Sequence, residues 1–482
     1  MNIVTLLEVL VKGLNEAEEK FLKNPKDFYS FEMSVKSSTE AFAAEYLGMV
    51  ISSINELIYN DNWRKGKYTV QRNDTRTIIT SVGDVTFGNT YYKSVENAGE
   101  YHYLTEEILG ISGHERFSEA AETLMLTEAL KTSYEEAAKV LPSKSKITKT
   151  TVMNKVHGIA EEMPEEKPEE LKKVPYLFIE ADEDHVAEQH GRWNERKDNG
   201  SFISKLAYVY EYKQESPYCK GKKELVNTFY FGGVYEEGKG VRQFWNKVFT
   251  FINNHYDYDS IEKIYISGDG AAWIKSGVNY IPESVFCADK YHLMKYINKA
   301  SNQMLDESET AKGEIYRLLY KRRKKQLIRY IDSMINSANN QEPVIALKTF
   351  IAGNWDAVMR CLHDKIVEGC SAEGHVSHIL SERLSSRPKG WSKTGADRMS
   401  RLRCYEKNYG REKIIDLVKY SREKRQLKRT GTDGISVENI KLSDVIRDHK
   451  DSSKKYIDGI QATMPGMTVR KIFSIREQIK LI

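Results

Sequence analysis

Val174-Pro-Tyr-Leu-Phe-Ile-Glu-Ala-Asp182 is an apolar, strand-like run that ends in an acidic residue. The arrangement is repeated in Ile261-Glu-Lys-Ile-Tyr-Ile-Ser-Gly-Asp269-Gly270. A carboxylate at the end of a strand is held rigidly at the sheet edge, and two such carboxylates on neighbouring strands can share divalent metal ions, which prefer hard oxygen ligands. A single aspartate in this place is often only a turn or helix-cap residue, but the repeated pair favours metal-assisted phosphoryl transfer.

The order of the predicted elements around the two aspartates indicates how they meet. We expect an antiparallel meander of three strands at residues 176–181, 205–212 and 225–235, followed by a helix at 241–252, a strand ending at Asp269, a short helix from Ala271 and a strand at 284–288. Three strands, helix, strand, helix, strand is the ribonuclease H order, in which the first and fourth strands are adjacent. Asp182 and Asp269 should therefore meet at one edge of a mixed sheet.

A pair of metal ions usually needs a third carboxylate from elsewhere in the fold. The candidates are Glu368, Glu373 and Glu382. Glu373 is favoured because it lies three residues before Val376 and shares the inward side of an amphipathic helix. Glu382 lies among polar residues, and Glu368 belongs to the preceding segment.

Other polar residues could flank this site. Asp184 points to the same side of its strand as the aspartate two residues earlier, so it is an alternative ligand. Asp289 and His292 lie three residues apart on one helix face, where they could flank the site or simply form a structural hydrogen bond. His375 and His378 have the spacing of helical zinc ligands, but no clear third nitrogen or sulfur ligand accompanies them.

Length and composition exclude several classes of protein. The 482 residues suggest three or four structural units, and 29% charged with 40% hydrophobic residues is typical of soluble proteins. No apolar stretch approaches the roughly 20 residues that span a bilayer, and the first ten residues do not resemble a secretion signal. The five cysteines include no Cys-x-x-Cys pair, which argues against disulfides and structural zinc. We expect a cytoplasmic protein without membrane contact.

The N-terminal part has a different pattern from the sheet region. Residues 1–60 have helical periodicity, and a hairpin is predicted around a Gly83-Asp84 turn. Two short helices, at 133–140 and 150–159, resemble a helix-turn-helix, although an ordinary packed helical pair is equally compatible. As a helix-turn-helix, the second helix would present these residues to the major groove of DNA: Lys149, Thr150, Asn154 and Lys155.

The domain prediction follows from these patterns. A charged, proline-marked linker at residues 164–170 separates the N-terminal part from the sheet region. The predicted domains are the N-terminal helices and hairpin (1–100), the helix-turn-helix-like region (101–165), the first part of the sheet core (170–300), a helical insertion (301–365), the final core helix with the third acid (366–400) and a basic helical region (401–482). The net charge is only +4, but basic clusters at 321–325 and 422–429 suit a polyanion, although most such runs are solvated helix faces.

Four motifs occur in an order that matches a known family. They are Ile-Glu-Ala-Asp182, Ser-Gly-Asp269-Gly-Ala-Ala-Trp-Ile274, Asp289-Lys-Tyr-His292, and Glu373-Gly-His-Val with Ser-Ser-Arg387-Pro-Lys-Gly-Trp391. Over nearly its whole length, the chain resembles bacterial insertion-sequence transposases of the DDE class, most closely the ISLre-two group, and is distantly similar to Mutator-type enzymes. The resemblance implies an α/β multidomain protein whose RNase H-like mixed-sheet catalytic core contains a helical insertion and follows a helical, helix-turn-helix DNA-binding region.

The resemblance also implies an activity and partners. Asp182, Asp269 and Glu373 would hold two Mg²⁺ (or Mn²⁺) ions, and the enzyme would cut and join the ends of a DNA element. The partners would be terminal inverted repeats, target DNA and further copies of the chain in a synaptic complex. Phosphate contacts are expected from Lys321, Arg322, Arg323, Lys324, Lys325, Arg387, Lys389 and Arg401. Trp391 could stack on an unpaired base or belong to the core.

Two other functions remain compatible with the sequence. A structure-specific nuclease would use the same chemistry to cut DNA without joining it. A non-catalytic regulator would bind DNA through the helix-turn-helix and would not need a metal ion.

Overall fold

The computed structural model describes residues 3–97, 99–189, 200–387 and 389–430, and the side chains up to residue 425. The chain divides into two compact units. The N-terminal unit consists of residues 1–155 together with 418–482, and the core unit consists of residues 156–417. Most of the predicted C-terminal region, from residue 431 onward, lies outside the described residues.

The N-terminal unit begins with a helical pair and a long β-hairpin. Its elements are α1 (Ile3–Lys23), α2 (Phe28–Asn60), α3 (Asn62–Lys67), β1 (Tyr68–Thr80), β2 (Gly83–Ser94), β3 (Tyr101–His102), α4 (Leu104–Ile108), α5 (Glu119–Ala129), α6 (Tyr134–Ala137) and α7 (Lys149–His157). Both strands are much longer than the predicted hairpin. The turn lies at Ser81 and Val82, so Gly83, predicted as part of the turn, is instead the first residue of β2 and pairs with Thr80.

Helix α2 packs closely against β2. Apolar side chains of the two elements form small cores, with Ala44 beside Val85 and Phe87. At Gly48 the helix approaches the strand so closely that a Cβ atom would overlap the carbonyl oxygen of Thr86. By length and composition alone α2 could cross a membrane, although core helices of soluble proteins pass the same test.

The core unit is a mixed α/β structure built on a five-stranded mixed sheet. Its strands are β4 (Tyr176–Ala187), β5 (Ser201–Tyr210), β6 (Tyr212–Glu215), β7 (Lys223–Val226), β8 (Phe229–Gly233), β9 (Lys263–Gly268) and β10 (Ser284–Ala288). The order in the main sheet is β10-β9-β4-β5-β8. Strands β4, β9 and β10 are parallel to one another, whereas β5 and β8 run antiparallel to their neighbours.

The third predicted strand, at 225–235, is divided in the structure. Its first residues form β7, which pairs with β6 in a separate two-stranded hairpin, and its later residues form β8 at the edge of the main sheet. The break lies at Asn227, whose φ of 53° is in the left-handed region. Asparagine tolerates this conformation better than most residues, so it allows the chain to leave one sheet and enter the other.

Helices cover the sheet and extend from it. They are α8 (Lys239–His255), α9 (Ala272–Lys275), α10 (Lys290–Ser301), α11 (Ser308–Tyr320), α12 (Lys324–Ser337), α13 (Gln341–Gly353), α14 (Trp355–His363), α15 (Ala372–Val376), α16 (Glu382–Leu384) and α17 (Lys393–Tyr409). The last helix, α18 (Ile414–Thr430), belongs mostly to the N-terminal unit. Helix α8 buries Phe244, Trp245 and Val248 against Ile179 and Ile266 of the sheet. Helices α10 to α14 form a helical insertion with its own apolar core.

The close approach at Gly48 generates a stability prediction. We expect Gly48→Ala to lower the free energy of unfolding by about 1 to 3 kcal/mol, because α2 or β2 must shift to admit the methyl group. Urea unfolding followed by circular dichroism would measure the change.

Gly66→Ala is the matched control. A Cβ at Gly66 in α3 would meet nothing within 4 Å, so this variant should be neutral or more stable by up to about 1 kcal/mol. Equal losses in both variants would contradict the packing argument.

Candidate active site

Three aspartates lie in a row at the carboxyl edge of the parallel strands. Glu180 of β4 is paired with Ser267 of β9, and Gly268 of β9 is paired with Ala288 of β10. Asp182 follows Glu180 by two positions, Asp269 follows Gly268 by one, and Asp289 follows Ala288 by one. Strands β9 and β10 end at this edge while β4 continues to Ala187, and the register sets the three aspartates level with one another.

Gly268 allows the strands to come this close. A Cβ atom there would lie 2.7 Å from the carbonyl oxygen of Ala181 and 2.9 Å from the side chain of Ile274. Each of the two neighbouring carboxylates accepts a hydrogen bond from a nearby backbone N–H through one of its oxygens. Asp182 Oδ1 accepts from the N–H of Glu183 at 2.8 Å, and Asp269 Oδ1 accepts from the N–H of Ala271 at 2.8 Å.

The two carboxylates affect each other electrostatically. Burial raises the pKa of Asp182 to about 6, and the negative charge of Asp269 acts in the same direction, while His292 acts in the opposite direction. The pKa of His292 is raised, first by its hydrogen bond to Asp289 and also by the charges of Asp269 and Asp182. His292 Nδ1 lies 2.7 Å from Asp289 Oδ2. The structure therefore brings together three acids and a histidine that partly balances their charge.

The third predicted acid is accessible but is not shown to join this group. Glu373 lies in the short helix α15, and its side chain is exposed rather than on the inward side that was predicted. That side chain forms no hydrogen bond or ion pair with the described part of the chain. The alternatives are both engaged: Glu368 pairs with Lys223, and Glu382 lies 2.8 Å from Arg403. Among the described residues, no three His, Cys, Asp or Glu side chains form a ready-made metal site.

The carboxylate of Asp184 is hydrogen-bonded inside the protein rather than open to solvent. Its Oδ1 accepts hydrogen bonds from Ser381 at 2.9 Å and Ser385 at 2.7 Å, and burial raises its pKa. These bonds attach the segment after α15 to β4. The two histidines considered for zinc are not convergent ligands either, because His375 Nδ1 contacts Tyr230 Oη at 3.0 Å and its ring packs on Tyr208.

Most of the predicted DNA-contacting residues are on the surface. Exposed side chains are those of Lys149, Thr150, Asn154, Lys321, Arg322, Arg323, Lys324, Lys325 and Arg387, and that of Lys389 is half-buried. The five-residue basic cluster lies at the turn between α11 and α12, where Arg322 has a φ of 54°. This tight turn projects the cations together from the helical insertion.

Three predicted DNA contacts are corrected by the structure. Lys155 is half-buried in an ion-pair cluster with Glu115 and Glu122, the latter at 2.9 Å. Arg401 is held by Asp397 at 2.9 Å and stacks over the ring of Tyr235. Trp391 is only 6% exposed, so it has the core role rather than the base-stacking role.

The predicted helix-turn-helix also differs from the observed segment. Ser133 caps α6 as expected, accepting from the N–H of Glu136 at 3.1 Å, but α6 ends at Ala137. Residues 138–148 separate it from α7, far more than the turn of three or four residues in a helix-turn-helix. This part of the chain is better described as a short helical pair.

Sequence reasoning missed Glu180. This carboxylate is 1% exposed and is surrounded by hydrogen-bond donors from β5, β6 and the segment before α15. The signal was its position within the apolar run of β4, because a buried carboxylate is tolerated only when it is paired.

The raised pKa of Asp182 predicts that this carboxylate destabilises the fold when it is ionised. Its pKa of about 6 lies above the ordinary 3.8, so the loss of stability is complete above pH 6 and absent below about pH 4. In metal-free buffer at pH 7.5, Asp182→Asn should raise the free energy of unfolding by about 1 to 3 kcal/mol.

Thermal unfolding at several pH values would test this expectation. The gain should shrink between pH 6 and pH 4, and added Mn²⁺ should stabilise the unmodified protein more than the variant. A lower melting temperature for Asp182→Asn at pH 7.5 would show that the carboxylate is not under electrostatic strain.

Comparisons with known proteins give the chain a family. The model of the Uncharacterised protein family (UPF0236) matches residues 21–421. Two UPF0236 proteins of Caldanaerobacter subterraneus subsp. tengcongensis are 34% identical over 422 residues (85% of this chain, 86% of the relative) and 33% identical over 437 residues (87% and 89%). The Drosophila P element transposase strand transfer complex aligns with 75% of this chain and 91% of its own chain, at 10% identity and with a TM-score of only 0.21. The chain belongs to the UPF0236 family.

Proposed function

We propose that this protein is a DNA transposase that binds the ends of an insertion sequence, cleaves them and joins them to target DNA in a metal-dependent reaction. The protein would act in the cytoplasm on DNA of the nucleoid, as an assembly of at least two copies.

The observation that carries the proposal is the row of aspartates at one sheet edge. Asp182 of β4 lies level with Asp269, which directly follows the adjacent parallel strand β9, and the strand order β10-β9-β4-β5-β8 is the one expected of an RNase H-like core. Burial and the neighbouring charge of Asp269 raise the pKa of Asp182, and carboxylates perturbed in this way are concentrated at functional sites.

The donor set fits a divalent cation in its chemistry. Asp182 and Asp269 offer hard oxygen ligands, and a cation bound between them would relieve the repulsion that contributes to the raised pKa of Asp182. We propose that Glu373 completes the set, because it is the one acid of the three candidates that is not engaged by a cation of the core unit. When bound, Mg²⁺ would supply Lewis-acid stabilisation of charge at the reacting phosphate.

The remaining residues have roles that follow from their contacts. Asp289 orients His292, whose positive form balances the acids before DNA and metal bind. The basic turn at residues 321–325 offers five exposed cations to the phosphate backbone of DNA.

The relatives' names support a mobile gene. The first relative's name joins eleven locus labels of one genome, and another joins four. Many copies of one gene in one genome are typical of a sequence that moves or copies itself.

The catalytic proposal is tested with DNA that carries the ends flanking this protein's own gene. Incubation with Mg²⁺ should produce breaks at those ends and joined products in target DNA. Even outer-shell partners of a metal site contribute 10- to 100-fold, so Asp182→Asn, Asp269→Asn and Glu373→Gln should each reduce cleavage by more than about a hundredfold while DNA binding persists.

Glu368→Gln and Glu382→Gln are matched controls, because both change a nearby glutamate that is already engaged by a cation. They should retain cleavage. Cleavage that survives all three site variants would refute the catalytic assignment. Breaks without joined products would indicate a structure-specific nuclease, and metal-independent binding without breaks would indicate a regulator.

The basic turn generates a separate binding prediction. Replacing Lys321, Arg322 and Arg323 with alanine should weaken DNA binding and reduce the slope of log affinity against log salt concentration by about 0.9 for each phosphate that these side chains no longer neutralise. Fluorescence anisotropy over a range of salt concentrations would measure both quantities.

Lys139→Ala removes an exposed lysine from the N-terminal unit and is the control, for which no change in slope is expected. An unchanged slope in the triple variant would show that the turn does not contact DNA.

A further inference from the structure

Glu180 accepts five hydrogen bonds although it lies almost entirely inside the core unit. Oε1 accepts from Tyr210 Oη at 2.7 Å and Lys213 Nζ at 2.8 Å. Oε2 accepts from the backbone N–H of Ser371 at 2.6 Å, from Ser371 Oγ at 2.8 Å and from the hydroxyl of Tyr208. These five donors replace the water molecules that the buried carboxylate would otherwise need to stabilise its charge.

These donors come from separate parts of the chain. Tyr208 and Tyr210 belong to β5, Lys213 belongs to the β6–β7 hairpin, and Ser371 immediately precedes α15. Lys213 also donates to the carbonyl oxygen of Gly369 at 2.9 Å. One carboxylate therefore ties β4 to the segment that leads into the helix carrying Glu373.

The hydrogen bonds between Glu180 and Ser371 lie close in sequence to the candidate active-site acids on both β4 and α15. Glu180 precedes Asp182 by two residues on the same face of β4, and Ser371 precedes Glu373 by two residues. Further along β4, Asp184 holds Ser381 at 2.9 Å. The segment from 371 to 381 is thus attached to β4 on both sides of Asp182.

We propose that Glu180 is a positioning residue that sets the distance between Asp182 and the α15 carboxylate Glu373, and so the affinity of the site for divalent cations. This inference rests on the proposed function and deepens it. Glu180 does not touch the reacting atoms, because its oxygens are occupied inside the protein. It acts by fixing the start of α15 to the strand that carries the first acid.

The test compares Glu180→Gln with a variant that changes another buried carboxylate elsewhere in the core unit. Glutamine keeps the shape but loses the charge and one acceptor oxygen. Lys213 and Ser371 bond different oxygens of Glu180, so one of these two residues loses its acceptor. Mn²⁺ binding, followed by loss of the free-ion signal in electron paramagnetic resonance, should weaken about tenfold. Backbone amides of residues 371–376 should exchange hydrogen faster.

Asp397→Asn is the matched control. Asp397 is 8% exposed and accepts from the N–H of Val234 at 3.0 Å and from Arg401 at 2.9 Å, near β8. The Asp397→Asn variant should lower the melting temperature about as much as Glu180→Gln does. Its affinity for Mn²⁺ and the hydrogen exchange of backbone amides in α15 should not change. Equal weakening of Mn²⁺ binding by both variants would overturn the positioning role.

Ser371→Ala is the second variant, in case Glu180→Gln does not fold. It removes one hydroxyl donor without leaving a buried charge unpaired, and it should weaken Mn²⁺ binding about threefold, less than the loss of a full outer-shell partner. Unchanged Mn²⁺ binding in a folded Glu180→Gln protein, or in Ser371→Ala if the first variant is unfolded, would overturn the inference. If the unmodified protein neither binds Mn²⁺ nor cleaves DNA, the proposed function itself fails. If it does both, a negative result refutes only the role of Glu180.

Discussion

The parallel pairing of β4, β9 and β10 is the constraint on which the site depends. The parallel register places Asp269 and Asp289, which are 87 and 107 positions from Asp182 in sequence, level with it at one edge of the sheet. Gly268 keeps the strands at this distance, because any side chain there would meet the backbone of Ala181. The fold thereby holds together negative charges that would separate in a flexible chain, and the buried apolar layer beneath α8 offsets the cost of this arrangement.

The two faces of β4 carry different kinds of side chain. Alternate residues on one side, Ile179 and Ala181, pack in the apolar core, whereas Glu180, Asp182 and Asp184 lie on the other. All three acids accept hydrogen bonds, and burial raises the pKa of the middle one, Asp182, to about 6. On this face of β4, Glu180 and Asp184 anchor the segment around α15 to the strand.

Sequence patterns predicted the local features of this structure better than the long-range ones. The last strand was predicted at its observed bounds, Ser284–Ala288, because a short apolar run between a turn and a helix cap has few alternatives. Strand β4 continues to Ala187, well beyond the predicted end at 181, because residues 182–187 pair along their backbone with residues 201–206 of β5. Likewise, no local pattern reveals that Lys155 and Arg401 are neutralised by buried acids. The proximity of Asp182 and Asp269 could be inferred from strand order, whereas the placement of Glu373 depends on tertiary contacts around Ser371.

The helical insertion leaves and rejoins the sheet at almost the same place. It begins after β10, and at its end Arg360 donates to the carbonyl oxygen of Phe286 in β10 while Asp364 accepts from Tyr265 in β9. Since the insertion has its own apolar core, its length and surface charge can change over evolution without altering the register of the strands. The part of the molecule that displays the basic turn is therefore free to diversify, while the geometry of the sheet constrains the acidic edge.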